Sequence, residues 1–254
     1  MKKIVIKNPR PVKTAAPYEA LAAYYDAFTD DVPYLAWADW AEAAFRRAGL
    51  SPSIVLDLCC GTGTLTGILS RRGYDMIGAD ASEAMLSRAY ANAPGVLLLR
   101  QRAEALDLYG TVDACVCSLD AVNYLTDPAA LREALRRVAL FLNPGGVFLF
   151  DALTPAQLPL VADASYIREC DEAVCVHSES CEGDLIRHRV DLFLRAADGR
   201  YDRVAETHRE RVYAPDALCA MLRDAGFSRA EVFSPGSFEP LPPDAPRAAY
   251  IAYK

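Results

Sequence analysis

Read for the spacing of its hydrophobic residues, the chain changes rhythm twice. Trp37, Trp40, Ala44, Phe45 and Ala48 recur at three- and four-residue intervals and stop at Gly49, which predicts an amphipathic helix. Pro52 and Ser53 then release the chain into Ile54-Val55-Leu56-Asp57-Leu58, a continuous apolar run suited to a strand buried on both faces. From there strand and helix patterns alternate. Further strands are predicted at 74–80, 96–99, 112–118 and 147–150. The intervening helices run from the Cys59–Gly63 loop to about residue 72, from a Ser82 cap through Met85, Leu86 and Ala89, and from Asp127-Pro128 along the Leu131, Leu135, Val138, Leu142 stripe. Asn143-Pro144-Gly145-Gly146 stops the last of these. Such alternation predicts an α/β fold, a doubly wound, mostly parallel sheet with helices on both faces.

Between about 165 and 212 a two-residue period replaces the helical one. Val190, Leu192 and Leu194 face one way, Arg189, Asp191 and Arg195 the other, while Gly183-Asp184 and Asp198-Gly199 mark hairpins. This predicts an antiparallel β insertion of about three strands. A helix at 215–225, with proline in its first turn and Gly226 at its end, precedes strands at 229–233 and 247–253. The expected organisation is an N-terminal arm at 1–17 punctuated by Pro9, Pro11 and Pro17, a core at 18–160 and 213–254, and an antiparallel lid at 161–212.

Composition narrows the classes. With 254 residues, 52% hydrophobic and 24% charged, the chain is long enough to bury a sizeable core. Its net charge of −7 argues against sequence-independent binding to nucleic acid or anionic lipid. No apolar run approaches the ~18 residues of a membrane span. Only Ile4-Val5-Ile6 follows the two N-terminal lysines, short of a signal-peptide core. A cytoplasmic protein with a small-molecule partner, no nucleic acid and no membrane is expected. The eight cysteines include a CC and a CxC pair and no CxxC, the usage of small buried residues in a reducing compartment. Cys170, Cys175, His177 and Cys181 lie close in sequence, but their spacing matches no paired zinc pattern, and no metal is expected.

The chemistry concentrates in Asp57-Leu58-Cys59-Cys60-Gly61-Thr62-Gly63. A small-residue turn from strand to helix lets a ligand approach the backbone, and the helix N-terminus favours anionic groups. Asp80 ends the next strand 19 residues beyond Gly61, where an acid accepts both hydroxyls of a ribose. The two features together imply an adenosine-containing ligand. Thr66 occupies the place of the third glycine of a dinucleotide fingerprint, and no G-K-[ST] is present. Asp57 at the mouth of the turn would repel a pyrophosphate and suit an ammonium. S-adenosylmethionine carries the ribose, the carboxylate and the ammonium that this arrangement asks for.

LDLCCGTG, IGADASEAML, LNPGGVFLFD and RDAGF stand in the order of four motifs of the class I S-adenosylmethionine-dependent methyltransferases, and from Tyr18 to Lys254 the chain resembles that family. The resemblance implies a seven-stranded sheet of order 3-2-1-4-5-7-6 with strand 7 antiparallel. It implies S-adenosyl-L-methionine as cofactor, held by Asp57, Cys59, Gly61, Gly63, Asp80, Ala81, Met85, Ala103, Ser118 and Leu119. Two departures stand out: Cys59 replaces the usual first glycine, and Arg102, a candidate to stack on the adenine, stands where an acid is usual. Small-molecule branches with an N-terminal aromatic segment and a sheet after strand five are the most similar. In them such a segment closes over the cofactor, which makes Tyr18, Tyr25 and Trp37 candidates here. The segment after strand four faces the methyl group, so Asp120, Asn123 and Tyr124 are candidates to line the reaction site, with Asp120 and Tyr124 as candidate catalytic residues.

His208 is the third candidate, as a base; His177 and His188 read as solvated or satisfied strand residues, and Arg187, Arg189, Arg209 and Arg211 as either a solvated face or a cationic cup for an acidic substrate. The chain has neither a D/N-P-P-Y motif after strand four nor a Pro-Cys pair, which disfavours planar bases and cytosine as acceptors. The reading is methyl transfer to a nitrogen or oxygen of a small molecule. A catalytically silent cofactor-binding module is the alternative, and a dinucleotide-dependent dehydrogenase fits less well.

Overall fold

The computed structural model describes residues 12–254, so Pro9, Pro11 and most of the predicted arm lie outside the described residues. The central sheet has seven strands: β2 (Ile54–Leu58), β3 (Asp75–Asp80), β4 (Leu97–Arg100), β5 (Val112–Cys117), β6 (Leu142–Leu153), β11 (Arg229–Phe233) and β12 (Arg247–Tyr253). Their order is β11-β12-β6-β5-β2-β3-β4. Numbered within this sheet alone, that is 3-2-1-4-5-7-6 read from the other edge. β12 runs antiparallel to both neighbours, and the remaining pairs are parallel.

Strand alternation sorts the core. Val55, Ala114, Val116, Val147 and Leu149 pack against α2 (Tyr34–Arg47) and α3 (Thr64–Arg71). Leu56, Cys115, Cys117, Phe148 and Phe150 face α5 (Pro128–Phe141) and α7 (Pro215–Ala225) on the other side. Both cysteines of the CxC pair thus behave as core residues. Phe150 and Tyr250 are opposite one another on β6 and β12 and stack at 4.5 Å, worth about 1 kcal/mol beyond their buried area. α4 (Glu83–Asn92) begins at Ser82, whose hydroxyl accepts from the Met85 amide at 3.2 Å.

β6 is longer than its apolar run suggests, and Asp151 lies inside it, only 2% exposed. The second sheet has order β1-β10-β9-β8-β7. β7 (Ser165–Glu169), β8 (Ala173–Glu182), β9 (Leu185–Arg195) and β10 (Tyr201–Arg211) are antiparallel, four strands where about three were expected. β1 (Lys13–Thr14) adds to β10 in parallel, so the end of the arm is paired with the second sheet.

Asn123, fully buried, ties the two sheets together. Its carbonyl accepts from the Leu153 amide at the end of β6 (2.9 Å), and its amide donates to the Arg211 carbonyl at the end of β10 (2.7 Å). Truncating it strands a buried donor and a buried acceptor, each worth about 1–3 kcal/mol. Asn123→Ala is therefore expected to lower the unfolding free energy by about 2–4 kcal/mol in urea titrations, against less than about 0.5 kcal/mol for the surface change Ser87→Ala.

Candidate functional site

The turn after β2 places three residues in left-handed backbone: Cys59 (φ 59°), Gly61 (φ 54°) and Gly63 (φ 74°). Glycine takes this conformation freely; Cys59 does so at a cost of about 1–2 kcal/mol. A Cβ at Gly63 would come within 2.9 Å of the Ala89 Cβ, because the turn packs directly on α4. Asp80 pins the turn from the next strand. One of its oxygens accepts from the Gly61 amide at 2.9 Å and the other from the Ser82 amide at 2.8 Å. Burial pushes its carboxyl above the usual range, and those amides pull it partway back.

Around this turn opens a cavity of about 660 Å³. Its walls are the Cys59–Thr62 loop, the segment from Asp80 to Met85, residues 100–104 and Ser118–Leu119, with Tyr18, Tyr25 and Tyr34 over the top. A second cavity of about 310 Å³ lies toward the antiparallel sheet, lined by Asp120, His177, Glu179, His188, His208 and Glu210 among others. Tyr18, Tyr25, Leu119 and Tyr124 line both. The Tyr18 and Tyr124 hydroxyls are 2.5 Å apart.

Comparison with known proteins bears on this geometry. The methyltransferase-domain family matches residues 55–146, which run from β2 into β6. The chain is 30% identical over 217 residues to the Bacillus subtilis (strain 168) protein YqeM, named as a methyltransferase, covering 83% of this chain and 86% of that one. The chain belongs to the class I S-adenosylmethionine-dependent methyltransferases. Its structure is similar to an S-adenosylmethionine-dependent methyltransferase from Clostridium acetobutylicum ATCC 824, at 26% identity and a TM-score of 0.82 over 93% of this chain and 98% of that one. It also shares its fold with the sugar N-methyltransferase KedS8 from Streptoalloteichus, at 20% identity and a TM-score of 0.76 over 100% and 98% of the two chains.

In this methyltransferase the larger cavity is lined by Tyr18, Tyr25, Cys59, Gly61, Asp80, Ala81, Met85, Arg102, Ala103, Ser118 and Leu119 from the sequence-based candidates. Three others do not line it. Trp37 packs edge-on against Trp40 at 5.1 Å in the core below, and Tyr34, one helical turn earlier, reaches the cavity instead. Gly63 serves the turn and its contact with α4. Asp57 lies beneath the turn, 1% exposed, where the Thr66 hydroxyl donates to it at 2.5 Å. Burial pushes Asp57 up to about 7, with the Asp80 charge adding to the rise and the Thr66 bond opposing it.

The N-terminal segment is latched by two acids. Asp26 on α1 (Tyr25–Phe28) accepts from the Thr62 hydroxyl at 2.6 Å and from the Asn92 amide at 2.8 Å. Glu206 on β10 accepts from the backbone amides of Tyr18, Ala20 and Leu21 at 2.6–2.9 Å. Neither latch stood among the candidates; the acid of Tyr24-Tyr25-Asp26 was the available signal.

The catalytic candidates are differently placed. Asp120 is ion-paired with Arg247 at 2.7 Å, and Arg247 also pairs with Asp151, so Asp120 is not a free base. Burial pushes Asp151 up to about 6 against the pull of Arg247. Burial also lifts Tyr18 and Tyr124 well above the phenol range, so both keep their protons. His208 lines only the smaller cavity, with its Nε2 2.9 Å from Glu206. All three histidines line that cavity, and His177 and His188 are bonded strand residues there, held by Tyr166, by Glu179 and by one another, rather than solvated ones. Arg187 and Arg209 are exposed on the opposite face, while Arg189 pairs with Asp191 and Arg211 with Asp184, so these four form no cationic cup. Among the described residues no helix is long and apolar enough to cross a membrane.

Asp57 gives a pH prediction. Its folded carboxyl keeps a proton up to about 7, whereas in the unfolded chain it loses it near 4, so the native state binds the extra proton between these values. Stability therefore falls as pH rises through that window and levels off above it. Asp57→Asn has no such term. In cofactor-free protein the wild type is expected to lose about 2–4 kcal/mol relative to Asp57→Asn between pH 4.5 and 7.5, measured by denaturant titration at each pH.

Proposed function

We propose that this methyltransferase transfers a methyl group to a nitrogen or oxygen of a small molecule held in the 310 Å³ cavity, with the cofactor in the 660 Å³ cavity. The observation that carries the reading is the shared wall: the two cavities meet at Tyr18, Tyr25, Leu119 and Tyr124. When bound, S-adenosylmethionine supplies a methyl group already activated by its sulfonium. The chain's task is then to orient the acceptor and exclude water, and positioning of this kind can remove several kcal/mol of barrier.

The larger cavity suits the cofactor on chemical grounds. Asp80, fixed by two backbone amides, presents a carboxylate to a ribose, and Ala103 with Arg102 flanks the place for an adenine. The amides of the glycine turn and the N-terminus of α3 favour a carboxylate. Asp57 acts from below the turn, through its charge and its Thr66 bond. At the shared wall the Tyr18 hydroxyl donates to Tyr124, which leaves the Tyr124 hydroxyl with its own proton to donate to the acceptor. His208, buried beside Glu206 and edge-on to Tyr18 at 4.6 Å, is the group best placed to receive a proton from a hydroxyl acceptor. The fold shared with a sugar N-methyltransferase supports a small-molecule acceptor.

Asp80→Ala is expected to weaken S-adenosylmethionine binding at least tenfold, about 1.4 kcal/mol, in calorimetric titrations. An unchanged dissociation constant would remove the cofactor assignment. Turnover with a panel of amines, hydroxyl compounds and carboxylates tests the acceptor, and cofactor binding with no acceptor across the whole panel would favour a silent binding module.

A further inference from the structure

The smaller cavity holds a cluster that methyl transfer does not by itself require. Strand alternation points His177 and Glu179 of β8 and His188 of β9 to the same side, with Glu179 and His188 directly opposite one another. His188 Nδ1 lies 3.1 Å from Glu179 Oε1 and 3.3 Å from His177 Nε2, and the remaining separation, His177 Nε2 to Glu179 Oε1, is 3.9 Å. A point about 2 Å from all three atoms exists in a triangle of these dimensions, the bond length that imidazole nitrogen and carboxylate oxygen make to zinc.

The outer nitrogen of His177 is hydrogen-bonded, while that of His188 faces a carboxylate without a hydrogen-bond partner among the described residues. His177 Nδ1 lies 2.7 Å from the Tyr166 hydroxyl, and His188 Nε2 lies 3.3 Å from Glu210 Oε1. A ring nitrogen facing a carboxylate or hydroxyl is the usual way a ligating histidine is held in its tautomer and orientation. Glu210 is only 4% exposed and lines the cavity, and its Oε2 has no hydrogen-bond partner among the described residues. A buried carboxylate oxygen without a donor is costly and points to a missing group in the cavity.

We propose that His177, Glu179 and His188 form a three-ligand site for a divalent cation of the zinc class in the wall of the cavity assigned above to the acceptor, with Glu210 beside His188 offering its free oxygen to a water or acceptor group on the metal. Two imidazoles and one carboxylate suit zinc, cobalt, nickel or iron(II) better than calcium or magnesium. Three protein ligands leave coordination positions open, so the site takes an oxygen or nitrogen donor of the acceptor. The cysteines singled out from spacing take no part: Cys175 packs in an apolar cluster with Phe28 and Val190, and the Cys181 thiol lies 3.6 Å from the Leu158 carbonyl.

The test uses the full chain, stripped with a chelator and titrated with Zn²⁺ against a chelating dye and with Co²⁺ by visible absorption. One ion per chain is expected, with affinity falling at least tenfold in His188→Ala and Glu179→Gln and unchanged in Cys181→Ser. X-ray absorption of the zinc-loaded wild type is expected to show a nitrogen and oxygen shell containing imidazoles. That measurement does not depend on how well the variants fold. No retained metal, a sulfur-containing shell, or affinity indifferent to both substitutions would overturn the site and leave the cluster as a hydrogen-bonded histidine–carboxylate network. Metal binding is read without S-adenosylmethionine and cofactor binding without metal, so failure of one leaves the other standing.

Discussion

The arrangement depends on a buried carboxylate. Glu206 is 1% exposed and would be among the most costly groups in the molecule if left unpaired. It is instead surrounded by donors: the amides of Tyr18, Ala20 and Leu21 and the imidazole of His208. Burial works against its charge, and these bonds outweigh it, holding the carboxyl below its usual range. One side chain of the antiparallel sheet thereby fixes the N-terminal segment that spans both cavities. Tyr18 stands in left-handed backbone (φ 61°), a conformation an aromatic residue adopts only where its surroundings impose it. With its amide bound to Glu206 and its hydroxyl beside Tyr124, Tyr18 is over-determined, as a shared wall between two cavities needs to be.

The same logic recurs at the floor. Leu119 and Asp120 are also left-handed, at 59° and 52°, immediately after β5. Arg247, at the start of β12, holds this turn through Asp120 and reaches Asp151 inside β6. A cation shared between two carboxylates in a half-buried position gains less from raw attraction than from keeping neither acid unpaired. The ion triad accounts for an acid in the interior of β6, where the apolar run alone would have ended the strand. It also removes Asp120 from acid–base chemistry while leaving it on the cavity wall.

Much of this was legible in the sequence because the core of a parallel sheet is written in continuous apolar runs. β2, α7, β11 and β12 have the bounds their patterns predict, and the Ser82 and Asp127 caps are in place. What was lost followed from treating polarity as exposure. His188 has the same strand parity as Val190 and Leu192, and His208 shares that of Glu206 and Glu210, so the alternation already turned all of them inward. Their polarity left solvent and internal partners both open; the strand parity decides for the cavity. Trp37 and Tyr34 share one helix three residues apart, and periodicity cannot say which aromatic meets the cavity and which meets Trp40. That distinction depends on how α2 lies against the sheet, which is a tertiary fact.

The two cavities differ in the kind of electrostatics they store. Beneath the larger one, Asp57 and Asp80 are both lifted by burial, and the charge of Asp80 raises Asp57 further. Neither is paired with a cationic side chain among the described residues; their partners are the Thr66 hydroxyl and backbone amides. A cationic ligand above the turn would relieve that strain. The smaller cavity instead balances its acids internally, with Glu179 and Glu210 on either side of His188, which they raise to about 9 despite burial, while His177 is pushed down to about 4 by burial and by the neighbouring His188. The larger cavity therefore holds acids that no cationic side chain balances among the described residues. The smaller cavity keeps histidines and carboxylates side by side, so groups of both signs and hydrogen-bonding donors and acceptors face the same space.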